Sequence, residues 1–225
     1  RTESRAALDR AQQLLGPLLE QRPEQPEVLA AQLQYEVWRV DLVLDEGADD
    51  EALKQLIGLE ASAQRLRALA PISTAALAAQ TFLFSRLGHV YGNQDRLDLA
   101  MEAFRQARDT AQEYSRLAPD DMQAADQVLS QSLYLAPVQL SLGLRAEGLA
   151  TLRSTSQRAQ SMRSHKDSRK LQASQATALS WLAQGLHPQR DLEERQLAIE
   201  TGRRLLTKLI AEDPDQNSEL SDATM

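Results

Sequence analysis

Apolar positions along the chain fall into long helical patterns, each closed by a proline or a short polar turn before the next one opens. Pro23, Pro71 and Pro119 stand 48 residues apart, and Pro214 lies 95 further on, two such periods short by one. The missing member falls in the polar stretch 164–168. The register also holds inside the periods. A step of 48 connects Ala52, Ala100 and Gly148, then Leu53, Met101, Leu149 and Leu197, then Leu56, Phe104 and Leu152. It also connects Ala63, Ala111 and Ala159, and Leu66, Tyr114 and Met162. Small residues recur where small ones stood, and large apolar ones where large ones stood. Repeated helix packing needs that arrangement, because a small side chain lets two helices approach while a large one fills the space beside it.

The pattern predicts a leading helix over 3–22 and four antiparallel pairs: 26–46 with 50–69, 73–92 with 96–117, 121–142 with 145–164, and 168–186 with 190–212. The turns within pairs carry Glu46-Gly47-Ala48-Asp49, Gly92-Asn93-Gln94-Asp95, Gly143 and His187-Pro188. Glycine suits the left-handed residue after a helix, and Asp49 and Asp95 are expected to cap the next one. Pro137 falls inside a predicted helix, where its missing N–H predicts a kink or break. Residues 213–225 are polar, acidic and without period, and read as a disordered tail. Residues 1–212 are therefore expected to form one domain.

Composition agrees with helices. The chain is 42% hydrophobic but only 4% aromatic, and it is rich in Ala, Leu and Gln, which lose little in a helix. Its apolar runs are too short to span a bilayer, and no signal peptide is visible, so no membrane insertion is expected. The chain opens on Arg1 rather than Met and reads as a piece of a longer protein. The absence of cysteine rules out disulfides and Cys-ligated metals without assigning a compartment. A net charge of −7 argues against a nucleic-acid partner, whose binders are normally basic.

In the central repeat Phe84, Leu87, Gly88, Tyr91, Ala100, Phe104 and Ala107 resemble the motif of the tetratricopeptide family. The flanking pairs keep part of it, with Val40, Ala52 and Leu56 and with Ala136, Gly148 and Leu152. The resemblance implies an all-α fold, a right-handed α-α superhelix of about nine antiparallel helices that recognises proteins or peptides in a concave groove lined by first helices. The period of 48 exceeds the roughly 34 residues of that motif, so longer helices, a wider superhelix and an altered groove are expected. The stretch from Leu87 to Asn93, followed by an Ala-rich helix, is also similar to repeats attached to some bacterial Ser/Thr kinases. That similarity implies a regulatory or sensory module of a larger signalling protein.

Catalysis needs convergent polar groups. His89, His165 and His187 stand one to a repeat, without metal-ligand spacing, and there is no phosphate-binding glycine loop or nucleophile motif. No enzyme, metal or cofactor is expected. The acidic run Asp45, Glu46, Asp49, Asp50, Glu51 reads as helix-start charge rather than as a calcium loop. The basic residues Arg153, Arg158, Arg163, Lys166, Arg169 and Lys170 read either as a solvated outer face or as a docking patch for an acidic peptide. Five-residue spacing does not align Arg153, Arg158 and Arg163 on one stripe. The implied groove would use Gln32, Tyr35, Arg39, Gln80, Gln131, Tyr134 and Gln175, with Phe84 packed in the core. The function expected is a protein- or peptide-binding scaffold. A self-associating structural module, forming a homodimer, and a small-molecule sensor are the alternatives.

Overall fold

The computed structural model describes residues 2–165 and 168–212. These form α1 (Thr2–Gln21), α2 (Pro26–Asp45), α3 (Asp49–Leu69), α4 (Thr74–Asn93), α5 (Leu97–Leu117), α6 (Met122–Ser141), α7 (Arg145–His165), α8 (Arg169–Gly185) and α9 (Leu192–Glu212). The fold is all-α among the described residues, and every helix lies within a few residues of its expected range. Residues 213–225, expected to be a disordered tail, and Lys166 of the basic run lie outside the described residues.

Local chemistry accounts for the helix starts. Ser73 Oγ accepts from the Ala76 N–H and Ser168 Oγ from the Leu171 N–H, each at 3.3 Å. Asp121 Oδ1 accepts from the Gln123 N–H at 2.8 Å ahead of α6. Pro26 opens α2 where a missing N–H costs nothing. Neither expected aspartate cap forms. Asp49 already lies in the first turn of α3, after Ala48. Asp95 instead takes the left-handed conformation at φ 57°, alongside Gly47 at 76° and Gly143 at 77°. These three positions are 48 residues apart, so the left-handed residue belongs to the repeat. Gly92, three residues too early, cannot supply it, and a short polar side chain tolerates the conformation best among the other residues. Pro137 does not end α6 either, because the bonding resumes beyond it, with Leu142 N–H on the Val138 carbonyl at 3.0 Å.

The chain divides into two compact units, Arg1–Val128 and Leu129–Met225. In the first, α1 packs on α2, α2 on α3, α4 on both α2 and α3, and α5 on α4. In the second, α8 packs on α7 and α9 on α8, and the C-terminal part of α6 meets α7. Within each unit, helices thus stack on their neighbours in sequence.

The crossing inside a pair sets how closely its helices approach. A Cβ on Gly88 would lie 2.6 Å from the Phe104 ring, so glycine alone admits that phenylalanine. One period earlier Val40 and Leu56 share a core cluster, and one period later Ala136 and Leu152 do. As the large partner shrinks from Phe to Leu, the small one grows from Gly to Ala or Val.

The repeated columns are buried except for Met101 and Met162, which are half-buried, and the member in the last repeat. Leu53 and Leu149 are buried, whereas Leu197 is 64% exposed. Three residues separate α2 from α3, α4 from α5 and α6 from α7, but six separate α8 from α9. α8 is in turn three residues shorter than α2, α4 and α6, so α9 starts 47 residues after α7 and its register moves by one. Ile199 therefore corresponds to Leu152, and Leu197 to Ala150, which is also exposed.

Gly88→Ala is expected to destabilise the chain by about 1–3 kcal/mol through overpacking, and adding Phe104→Leu should recover most of it. A denaturation midpoint that Gly88→Ala leaves in place would contradict the crossing. Asp95→Gly should raise the midpoint by up to about 1 kcal/mol by relieving the left-handed residue, with Gly47→Ala moving it the other way. Equal midpoints for Asp95→Gly and the unmodified chain would show that the aspartate carries no strain.

Candidate functional site

Most residues expected to line a groove are used in packing. Tyr35 is buried and donates through its hydroxyl to Gln12 Oε1 of α1 at 3.2 Å. Gln80 is buried, with Nε2 donating to the Ala63 carbonyl of α3 at 2.7 Å. Gln175 is buried and accepts from Arg163 of α7 at 2.7 Å. Gln131 is buried on α6, and Phe84 packs against the core of the first unit, as expected. Gln32 lines a small depression of about 270 Å³ between α2 and α3. Arg39 lies exposed beside Glu36 at 2.9 Å. Of the expected aromatics only Tyr134 stays open, 40% exposed.

The basic residues do not form one patch. Arg153 donates from Nε and a terminal nitrogen to both oxygens of Glu194, at 2.6 and 2.7 Å, and so ties α7 to α9. Those two bonds are the main reason the Glu194 carboxyl sits below the usual carboxylate range. Arg163 is engaged with Gln175 between α7 and α8, while Arg158 lies exposed on α7.

The surface that remains open on the first helices has a composition that the groove candidates only touched. In the first unit Trp38 of α2, 42% exposed, meets Phe82 of α4 edge to face, with ring centres 6.0 Å apart. The Arg86 guanidinium lies over the Phe82 ring, 4.9 Å from its centre, and donates to Asp41 Oδ2 at 2.9 Å. Burial, opposed by Arg86, pushes the Asp41 carboxyl above its ordinary pKa. Trp38 and Asp41 also wall a cleft of about 280 Å³ against Ala7, Leu8 and Ala11 of α1.

Trp38, Arg86 and Tyr134 are 48 residues apart. Trp181, 38% exposed, follows after 47, the shortfall already seen in the prolines. Each first helix therefore carries one large planar side chain at the same register position, partly in solvent. Each stands two residues before the crossing residues Val40, Gly88, Ala136 and Ala183, which is about 200° around a helix and so on the opposite face. Extending the 48-residue step from the Ala and Leu columns to the first helices would have found this column. Choosing polar and aromatic residues singly did not.

Among the described residues no three His, Asp or Glu side chains converge on a point that could hold a metal, and no described helix is long and apolar enough to cross a membrane. His187 Nδ1 accepts from the Gln189 and Arg190 N–H groups at 3.2 and 3.1 Å and so closes a turn. His89 stands edge to face with Phe104 at 5.1 Å. Burial, helped by the nearby Arg86 cation, lowers its pKa from 6.5 to about 4.

An imidazole held neutral in the folded chain takes up a proton more readily once unfolded. Its contribution is fully present above about pH 6.5 and is lost as pH falls toward about 4. Asp41, raised rather than lowered, works in the opposite sense, so the comparison has to be made with His89→Gln. The unmodified chain should lose stability between pH 6.5 and 4 more steeply than that variant in urea titrations. Parallel pH profiles would show that His89 does not titrate on unfolding. No family model matches the chain, and none of the curated proteins matches it significantly.

Proposed function

We propose that this chain is a non-catalytic scaffold that binds a protein or peptide along the exposed faces of its first helices. The observation that carries this is the column Trp38, Arg86, Tyr134 and Trp181. Packing does not need a planar side chain half in solvent at the same point of four successive first helices. Trp, Tyr and Arg are also the residues that supply most of the energy at protein interfaces. Contacts already hold Trp38 and Arg86 in place, so binding costs them little side-chain entropy. The likeness to tetratricopeptide repeats supports the same reading. The similarity of Leu87–Asn93 to kinase-attached repeats extends it to a regulatory module of a larger bacterial signalling protein.

The chain has two tryptophans, and both belong to the column. Trp38 emission therefore reports on the first-helix face of the first unit, and Trp181 emission on that of the second. A partner captured with the chain as bait should shield Trp38 from acrylamide and shift its emission to the blue. Trp38→Ala together with Arg86→Ala should weaken that partner by about tenfold or more, while Arg105→Ala, exposed on α5, should leave it unchanged. A partner that binds without shielding either indole, and with equal affinity for all three chains, would remove the first-helix face from the account.

A further inference from the structure

The last helix pair has a groove that the first unit fills with a helix. In the first unit α4 lies against both α2 and α3. Its Leu83, Leu87 and Val90 join Leu53, Leu56 and Leu66 of α3 in one cluster, and Gln80 bonds the Ala63 carbonyl. Leu53 is buried there, and Leu149, its counterpart on α7, is buried against Gly185 of α8. Leu56 and Leu152 are buried too, but their counterpart on α9, Ile199, is 37% exposed.

The crossing beneath it uses a glycine. Gly202 takes the position of Ala107 and meets Leu179 and Ala176 of α8. A Cβ on Gly202 would meet nothing closer than Leu179 Cβ at 3.6 Å, so α8 does not demand a glycine there. Ala183 and Gly202 floor an open groove of about 540 Å³ between α8 and α9, walled by Ile199, Leu206 and Ile210. Its charged lining is Arg195 and Arg203, with no carboxylate, in a chain of net charge −7. Arg195 spends Nε on the Ala183 carbonyl at 3.1 Å, which fixes its head at the rim.

We propose that the α8–α9 groove docks one amphipathic helix of a partner protein, seated as α4 is on α2 and α3, with small and branched apolar residues inward and acidic residues on its flanks. The apolar stripe follows from the groove's walls and its small floor, which admits a close helix. The acidic flanks follow from the two arginines. This docking site is separate from the first-helix column.

The test uses the full 225-residue chain and a labelled synthetic peptide that carries the inward residues of α4 with glutamate at every outward position. Fluorescence anisotropy should show saturable binding, and the same peptide with lysine outward should bind about tenfold more weakly. Ile199→Glu should abolish binding. Arg203→Glu, a change at an exposed position, should weaken the glutamate peptide and strengthen the lysine one. Gly202→Leu should block the groove without lowering the melting temperature, which separates loss of the site from loss of the fold.

Absence of binding, equal affinity for both peptides, or binding that Ile199→Glu leaves intact would each overturn the proposal. So would a chain that sediments as a dimer until Ile199→Glu makes it monomeric, since the occupant would then be a second copy. Tighter peptide binding after Asp213, Asp215 and Asp222 are changed to Asn and Glu219 to Gln would overturn it as well, by making the chain's own C-terminal segment the occupant.

Discussion

How closely two helices can cross is the constraint on which the rest of this chain depends. At each crossing in the first three pairs a small residue on the first helix faces a large one on the second: Val40 with Leu56, Gly88 with Phe104, Ala136 with Leu152. The residues change but a small one is set against a large one each time, because a close-packed interior tolerates neither a hole nor an overlap. Fixing the crossing also fixes the rotation of the first helix. A residue two places earlier must then face away, and that is where Trp38, Arg86, Tyr134 and Trp181 stand. The core and the exposed column are two consequences of one rotation.

Polar groups tie successive layers together rather than creating them. Arg86 with Asp41 joins α4 to α2, Arg67 with Glu113 joins α5 to α3, and Arg153 with Glu194 joins α9 to α7. Pairs this exposed contribute on the order of 0–1 kcal/mol each, far less than the apolar crossings. Their value is directional: a guanidinium held by two bonds orients the helix that carries it. Arg153 is therefore better understood as a strut between second helices than as a waiting contact for an acidic ligand. Gln80 and Gln175 do comparable work inside, each meeting a bond partner on the preceding second helix.

The helices, their lengths and their pairing were legible because a period-48 pattern of small and large residues leaves few other arrangements. The left-handed residues at 47 and 143 were legible for the same reason, since glycine marks them, whereas Asp95 hid the third. The column of exposed planar side chains was written in the same period and was missed. Trp, Arg and Tyr are different residue types, and only shared exposure reveals them as one position. Leu197 looked like a member of its column because a step of constant length ignores the one residue lost before α9.

By itself the sequence determined an all-α repeat, its number of helices and the small-against-large logic of each crossing. These are local or periodic properties, set by propensity, by turn chemistry and by side-chain volume at fixed spacing. Tertiary structure alone decided which polar side chains face a neighbour. It placed Tyr35, Gln80 and Gln175 inside, left Trp38, Tyr134 and Trp181 partly outside, and sent Arg153 to Glu194. Those outcomes turn on the rotation of each helix about its own axis, and a shift of one or two residues in a connecting turn is enough to reverse them. That is why α9 buries Ala198 and leaves Leu197 in water.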